Sequence, residues 1–100
     1  MKTFKVAGPD GQKTLIAEQL ATFAYYIQGV QFRFVVTRLQ GSTEVAVTAR
    51  NSGSKVAAVP FVSVQASLGD YVTAGKSALM KVIERAGEAR VRSVLTAAGE

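Results

Sequence analysis

The residues best equipped for chemistry in this chain are its cations. Arg33, Arg38 and Arg50 fall in one stretch, Lys55 follows shortly after, and Arg90 and Arg92 lie near the end. A guanidinium is a planar fork of donors that matches a phosphate bidentately, so this set points to contacts with the backbone of DNA or RNA. Lys and Arg outnumber Asp and Glu by 12 to 7, giving a net charge of +5. That surplus on a small domain steers anionic partners and drives binding through counterion release. The charge is evenly spread: residues 1–50 carry six cations against three carboxylates, and residues 51–100 carry six against four. The candidate nucleic-acid-binding residues are therefore Arg33, Arg38, Arg50, Lys55, Arg90 and Arg92.

Other constellations carry less. Gly75-Lys76-Ser77 ends like a phosphate-binding P-loop, but that motif needs four residues between its glycines and Gly69 is separated from Gly75 by five. Glu84 and Glu88 share a helix face at i, i+4 spacing, with Lys81, Arg85, Arg90 and Arg92 nearby to neutralise them. Histidine and cysteine are both absent. Their absence removes the commonest general base, the commonest metal ligand, thiol nucleophiles and disulfides. The expectation is a protein that is not an enzyme, with no catalytic residues, no metal site and no cofactor.

The elements that must position the cations begin with a hairpin. Residues 31–50 (QFRFVVTRLQGSTEVAVTAR) alternate apolar and polar on two arms around Gln40-Gly41-Ser42-Thr43. Pairing Leu39 with Ser42 across a two-residue turn sets Val36 opposite Val45, Phe34 opposite Val47 and Phe32 opposite Ala49, all on one face. Arg33, Val35, Thr37, Thr48, Ala46 and Glu44 then occupy an open face without aromatics. A four-residue turn keeps the same parity.

The remaining segments are read from periodicity. Met1 to Ala7 alternates as a short strand, and Gly8-Pro9-Asp10-Gly11 is a turn. Thr14 to Ile27 carries Ile16, Leu20, Phe23, Ala24 and Ile27 on one helical face, with Thr14 as cap and Gly29 as terminator. Tyr25 and Tyr26 flank that stripe near the helix end, where they could stack bases but read rather as core-edge residues with solvated hydroxyls. Val56 to Val64 reads as a third strand of the meander, placed at an edge or bulge by Pro60. A second helix runs from Asp70 or Thr73 to Ala86, where Ala78, Leu79, Val82, Ile83 and Ala86 form its stripe and Gly87 its end. Residues 88–100 suit either an edge strand or a helical extension, and the alternation of Val91, Ser93 and Leu95 favours the strand.

The order helix, three strands, helix within residues 14–86 resembles double-stranded RNA-binding domains in topology. Those domains imply a lysine cluster at the start of the last helix, represented here by Lys76 alone, and a β-loop histidine that this chain lacks.

The sequence thus predicts one α+β domain spanning residues 1–100, with two helices packed on one face of an antiparallel sheet. The element order is β-α-β-β-β-α with a short C-terminal strand or helical extension. The function expected is a small basic binding domain contacting DNA or RNA backbone through the hairpin. The alternative is a protein-interaction module or inhibitor acting by surface occupation, with a protein partner or a homodimer. No stretch has the roughly 18 consecutive apolar residues of a membrane span, so a cytoplasmic chain without membrane contact is expected.

Overall fold

The computed structural model describes residues 3–7, 14–39, 41 and 43–100. It is an α+β fold in which five antiparallel strands come first and three helices follow. The strands are β1 (Thr3–Ala7), β2 (Thr14–Ile27), β3 (Val30–Leu39), β4 (Val45–Ala49) and β5 (Lys55–Val59). The helices are α1 (Phe61–Ala66), α2 (Tyr71–Ala86) and α3 (Glu88–Ala97). Each strand pairs with its neighbour in the chain, so the sheet is a plain meander with β3 in the middle and β1 and β5 at the edges. The Gly8-Pro9-Asp10-Gly11 turn expected between β1 and β2 lies outside the described residues.

Residues 14–27 are a strand, not the helix that the apolar spacing predicts. Two local features disguised it. Between Gln19 and Ala21 the register against β3 shifts, so a bulge interrupts the alternation and lets residues 16, 20, 23 and 27 fall at helix-like intervals. Beyond the bulge the period of two is plain: Phe23, Tyr25 and Ile27 face the helices while Thr22, Ala24 and Tyr26 face away. Gly29 does not end a helix. Gln28 and Gly29, at φ 51° and 78°, form a two-residue turn with both central residues in the left-handed region, which matches the twist of the strands it joins. With this segment extended, the likeness in order to double-stranded RNA-binding domains disappears.

The hairpin of β3 and β4 has the expected faces and a different register. Val36 pairs with Val47, Phe34 with Ala49 and Arg38 with Val45, two residues away from the pairing predicted from a tight turn. The connection is simply longer. Parity is unchanged by an even shift, so Phe32, Phe34, Val36, Val47 and Ala49 are all buried beneath the helices and Val45 packs against them. β5 is shorter than the third strand predicted over residues 56–64. Pro60 ends it, because a residue without an N–H and with φ −64° suits the cap position before α1. Its carbonyl accepts from the N–H groups of Ser63 and Val64.

Helix α2 is the main cover of the sheet and packs across β2 to β5. Asp70 caps it, its Oδ1 accepting from the N–H groups of Val72 (3.1 Å) and Thr73 (3.2 Å) and its Oδ2 from the Thr73 hydroxyl (2.7 Å). Those bonds, led by the Thr73 hydroxyl, hold the Asp70 carboxyl below its ordinary range. Ala74, Gly75, Ala78 and Leu79 are the buried positions. Gly75 sits where the helix comes closest to the sheet: a Cβ there would lie 2.9 Å from Val36 Cγ2 and 3.0 Å from Phe23 Cε1. The Gly-Lys-Ser triplet is therefore a packing glycine followed by an exposed lysine, within a helix and away from any loop.

The C-terminal segment is helical, contrary to the strand preferred above. Val91 and Leu95 would share a face in either conformation, but Ser93, which a strand would set between them, is exposed, and the two apolar side chains lie one helical turn apart over the core. Glu100 fastens the far end, its carboxylate accepting from the N–H groups of Asn51 (2.9 Å) and Ser52 (2.6 Å) in the β4–β5 turn.

Candidate nucleic-acid interface

The sheet face turned away from the helices is divided. Val6, Ala17, Val35, Thr37 and Thr48 are buried there, and the Thr37 and Thr48 hydroxyls meet at 2.9 Å. The open face expected for the hairpin is thus closed in that part. The part near the β2–β3 turn remains exposed. It consists of Thr22, Ala24 and Tyr26 on β2 and Gln31 and Arg33 on β3, with Arg50 just past the end of β4.

Pairing fixes the geometry. Ala24 is opposite Arg33 and Tyr26 opposite Gln31, so Tyr26 and Arg33 lie diagonally across two neighbouring strands on one face. The N–H of Arg50 donates to the Arg33 carbonyl at 3.2 Å, which holds the two arginines side by side on adjacent strands. Their side chains line one shallow cleft of about 270 Å³ together with Thr22, Ala24 and Gln31. No carboxylate lines this cleft among the described residues, and neither guanidinium has an acidic partner there.

The other four predicted residues do not join them. Arg38 belongs to the helix-side parity of β3, where its Nη2 donates to Glu18 Oε2 at 2.6 Å. This cross-strand bond and the Glu18 charge raise the guanidinium pKa further and leave it largely neutralised as a phosphate contact. The 560 Å³ recess that Arg38 helps to line also contains Glu44 and Lys55, a mixture of signs that does not single out an anion. Lys55 and Arg90 both line a different groove, between β5 and α3. Arg92 is exposed on α3 and lines neither.

Tyr26 is the residue that the sequence reading left out of the candidate set, preferring a core-edge role for it. Assigned to a helix, it sat beside an apolar stripe; on a strand it points opposite to Tyr25, which is half-buried and packed against the core. Its ring is 66% exposed. The open face therefore has the aromatic that it was expected to lack. The alternation of residues 22–27 was the available signal.

Among the described residues no group of three His, Cys, Asp or Glu side chains could hold a metal ion, and no helix is long and apolar enough to cross a membrane. No protein-family model, curated protein or solved structure matches the chain.

Proposed function

We propose that this domain binds single-stranded nucleic acid on the open part of its sheet. The observation that carries the reading is the convergence of Arg33 and Arg50 on one cleft without a carboxylate, on the same face as the exposed Tyr26. The two guanidiniums grip successive phosphates while a base stacks on the phenol ring. Gln31, opposite Tyr26, offers a donor and an acceptor at the base edge. Stacking requires an unpaired base, which favours single strands over a duplex. The role is that of a binding module and not of an enzyme, and absence of cysteine suits a reducing compartment such as the cytoplasm.

Fluorescence anisotropy with labelled single-stranded DNA, single-stranded RNA and duplexes, at two salt concentrations, tests the reading. Tyr26→Ala is expected to weaken single-strand binding by about 1–3 kcal/mol, the usual worth of a base–aromatic stack. Removing both Arg33 and Arg50 is expected to lower the slope of log K against log salt by about 1.4, from about 0.7 per phosphate on a single strand. Equal affinity of wild type and the triple variant for every probe would reject it.

A second reading rests on a separate observation, next to the edge strand β5. Helix α1, which follows the edge strand β5, buries none of its residues; Phe61 at its start is 72% exposed and Leu68 just past its end is 95% exposed. Such apolar surface next to an unpaired strand suits self-association or a protein partner. Sedimentation of the wild type against Phe61→Ser tests it: a species that stays monomeric at high concentration removes the self-association form.

A further inference from the structure

The groove between β5 and α3 is neither part of the cleft above nor beside the exposed apolar surface of α1. Its volume is about 260 Å³. The floor and walls are aliphatic: Val56 from β5, Val82 from α2, and Val91 and Val94 from α3. Val94 is 60% exposed although it stands on a groove wall, so the helix offers it apolar surface that the fold itself does not cover.

The mouth has the opposite character. Lys55 stands on the β5 wall and Arg90 on the α3 wall, and among the described residues neither has an acidic partner. No carboxylate lines the groove among the described residues: Glu44 lines a different recess that Lys55 also borders, and the Glu100 carboxylate is occupied by the N–H groups of Asn51 and Ser52. An aliphatic trench with a cation on each bank matches a molecule with an apolar chain and an anionic head. A neutral ligand would leave the two cations unused, and a cationic one would be repelled.

We infer that this groove is a binding site for a medium-chain aliphatic carboxylate, its chain lying along Val56, Val82, Val91 and Val94 and its head between Lys55 and Arg90. The head makes charge-assisted hydrogen bonds with both side chains, and the chain buries apolar surface that water otherwise covers.

The test is methyl-region NMR of the intact protein titrated with decanoate, decanol and decyltrimethylammonium. Decanoate is expected to shift the methyl signals of Val56, Val82, Val91 and Val94 in a saturable manner, with the ammonium compound binding at least tenfold more weakly. Lys55→Ala and Arg90→Ala are each expected to weaken decanoate about three- to fivefold, the effect of one half-exposed ion pair, while leaving decanol unchanged. Val94→Gln is expected to weaken all three ligands, and because this position is exposed the variant retains the fold. No saturable shift with decanoate, or equal affinity for the anionic and cationic compounds, overturns the assignment. A short peptide with an apolar C-terminal residue that binds where decanoate does not also overturns it, in favour of a protein partner.

Discussion

Gly75 offers the sharpest test of how the helix layer meets the sheet. In an exposed helix interior, Gly→Ala stabilises by about 1 kcal/mol, because alanine restricts the unfolded backbone and favours the helix. At Gly75 the new methyl would lie 2.9 Å from Val36 Cγ2 and 3.0 Å from Phe23 Cε1, closer than carbon atoms pack. Neither neighbour can withdraw easily. Val36 is fully buried on the middle strand and stiff about χ1, and the Phe23 ring is held against Phe34 with centroids 5.5 Å apart. Overpacking of this kind costs about 1–3 kcal/mol, so Gly75→Ala is expected to be destabilising by about 1 kcal/mol net. With a urea m-value of about 1 kcal/mol/M for a small domain, the midpoint should fall by about 1 M at unchanged slope. Gly75→Val, bulkier and poorer in helix propensity, should lose about 3 kcal/mol or more. Adding Val36→Ala to Gly75→Ala should recover part of the loss, since it removes the atom that is struck. A Gly75→Ala variant that is more stable than wild type by the full helix increment would refute the close approach of α2 to β2 and β3.

Two further outcomes follow from polar groups. Thr37 and Thr48 share a buried hydroxyl contact of 2.9 Å, so Thr48→Val should cost about 1–3 kcal/mol by stranding its partner, whereas Thr37→Val/Thr48→Val should be nearly neutral; urea unfolding of the four proteins measures the coupling. The Asp70 carboxyl is held below its ordinary range by the Thr73 hydroxyl and N–H first, then by the Val72 N–H and the charge of Lys76. A folded value below the unfolded one of about 3.9 means that its contribution is fully present above that pH. It is lost as pH falls through the folded value, so Asp70→Asn should flatten the acid limb of the stability curve while keeping the cap.

How much of this was legible in the sequence differs from element to element. The β3–β4 faces were, because parity survives an even error in register: the pairing was two residues off and the same six apolar side chains still faced the core. The α2 boundaries were, because Asp70 and Gly87 mark them chemically. β2 was not. Its bulge shifts the apolar residues onto helical intervals, and Gln28-Gly29 is a less familiar two-residue turn than Asn-Gly. That one error hid the candidate site, since Tyr26 reaches the open face only if residues 22–27 are extended. Arg33 and Arg50 were legible because they belong to the hairpin that was read correctly. Arg38 failed for a reason no local pattern contains: Glu18 comes beside it only when β2 pairs with β3.

The exposed part of the sheet and the exposed apolar residues around α1 are uncovered for opposite reasons, and salt separates them. Apart from the amphipathic ring of Tyr26, the exposed part of the sheet, with Thr22, Ala24, Gln31 and Arg33, has little apolar surface to bury, so no helix is needed over it. Phe61 and Leu68 are apolar and yet exposed, which is unfavourable in the isolated domain. The nucleic-acid binding proposed for the first surface would depend on releasing counterions and should weaken as salt rises. Association proposed at the second would depend on removing apolar area from water and should persist or strengthen, most clearly in sulfate. A single series of anisotropy and sedimentation measurements over the same salt range therefore assigns each surface its own partner. An oligomer that dissolves with salt in step with loss of nucleic-acid binding would place both activities at Arg33 and Arg50 and leave Phe61 without a role.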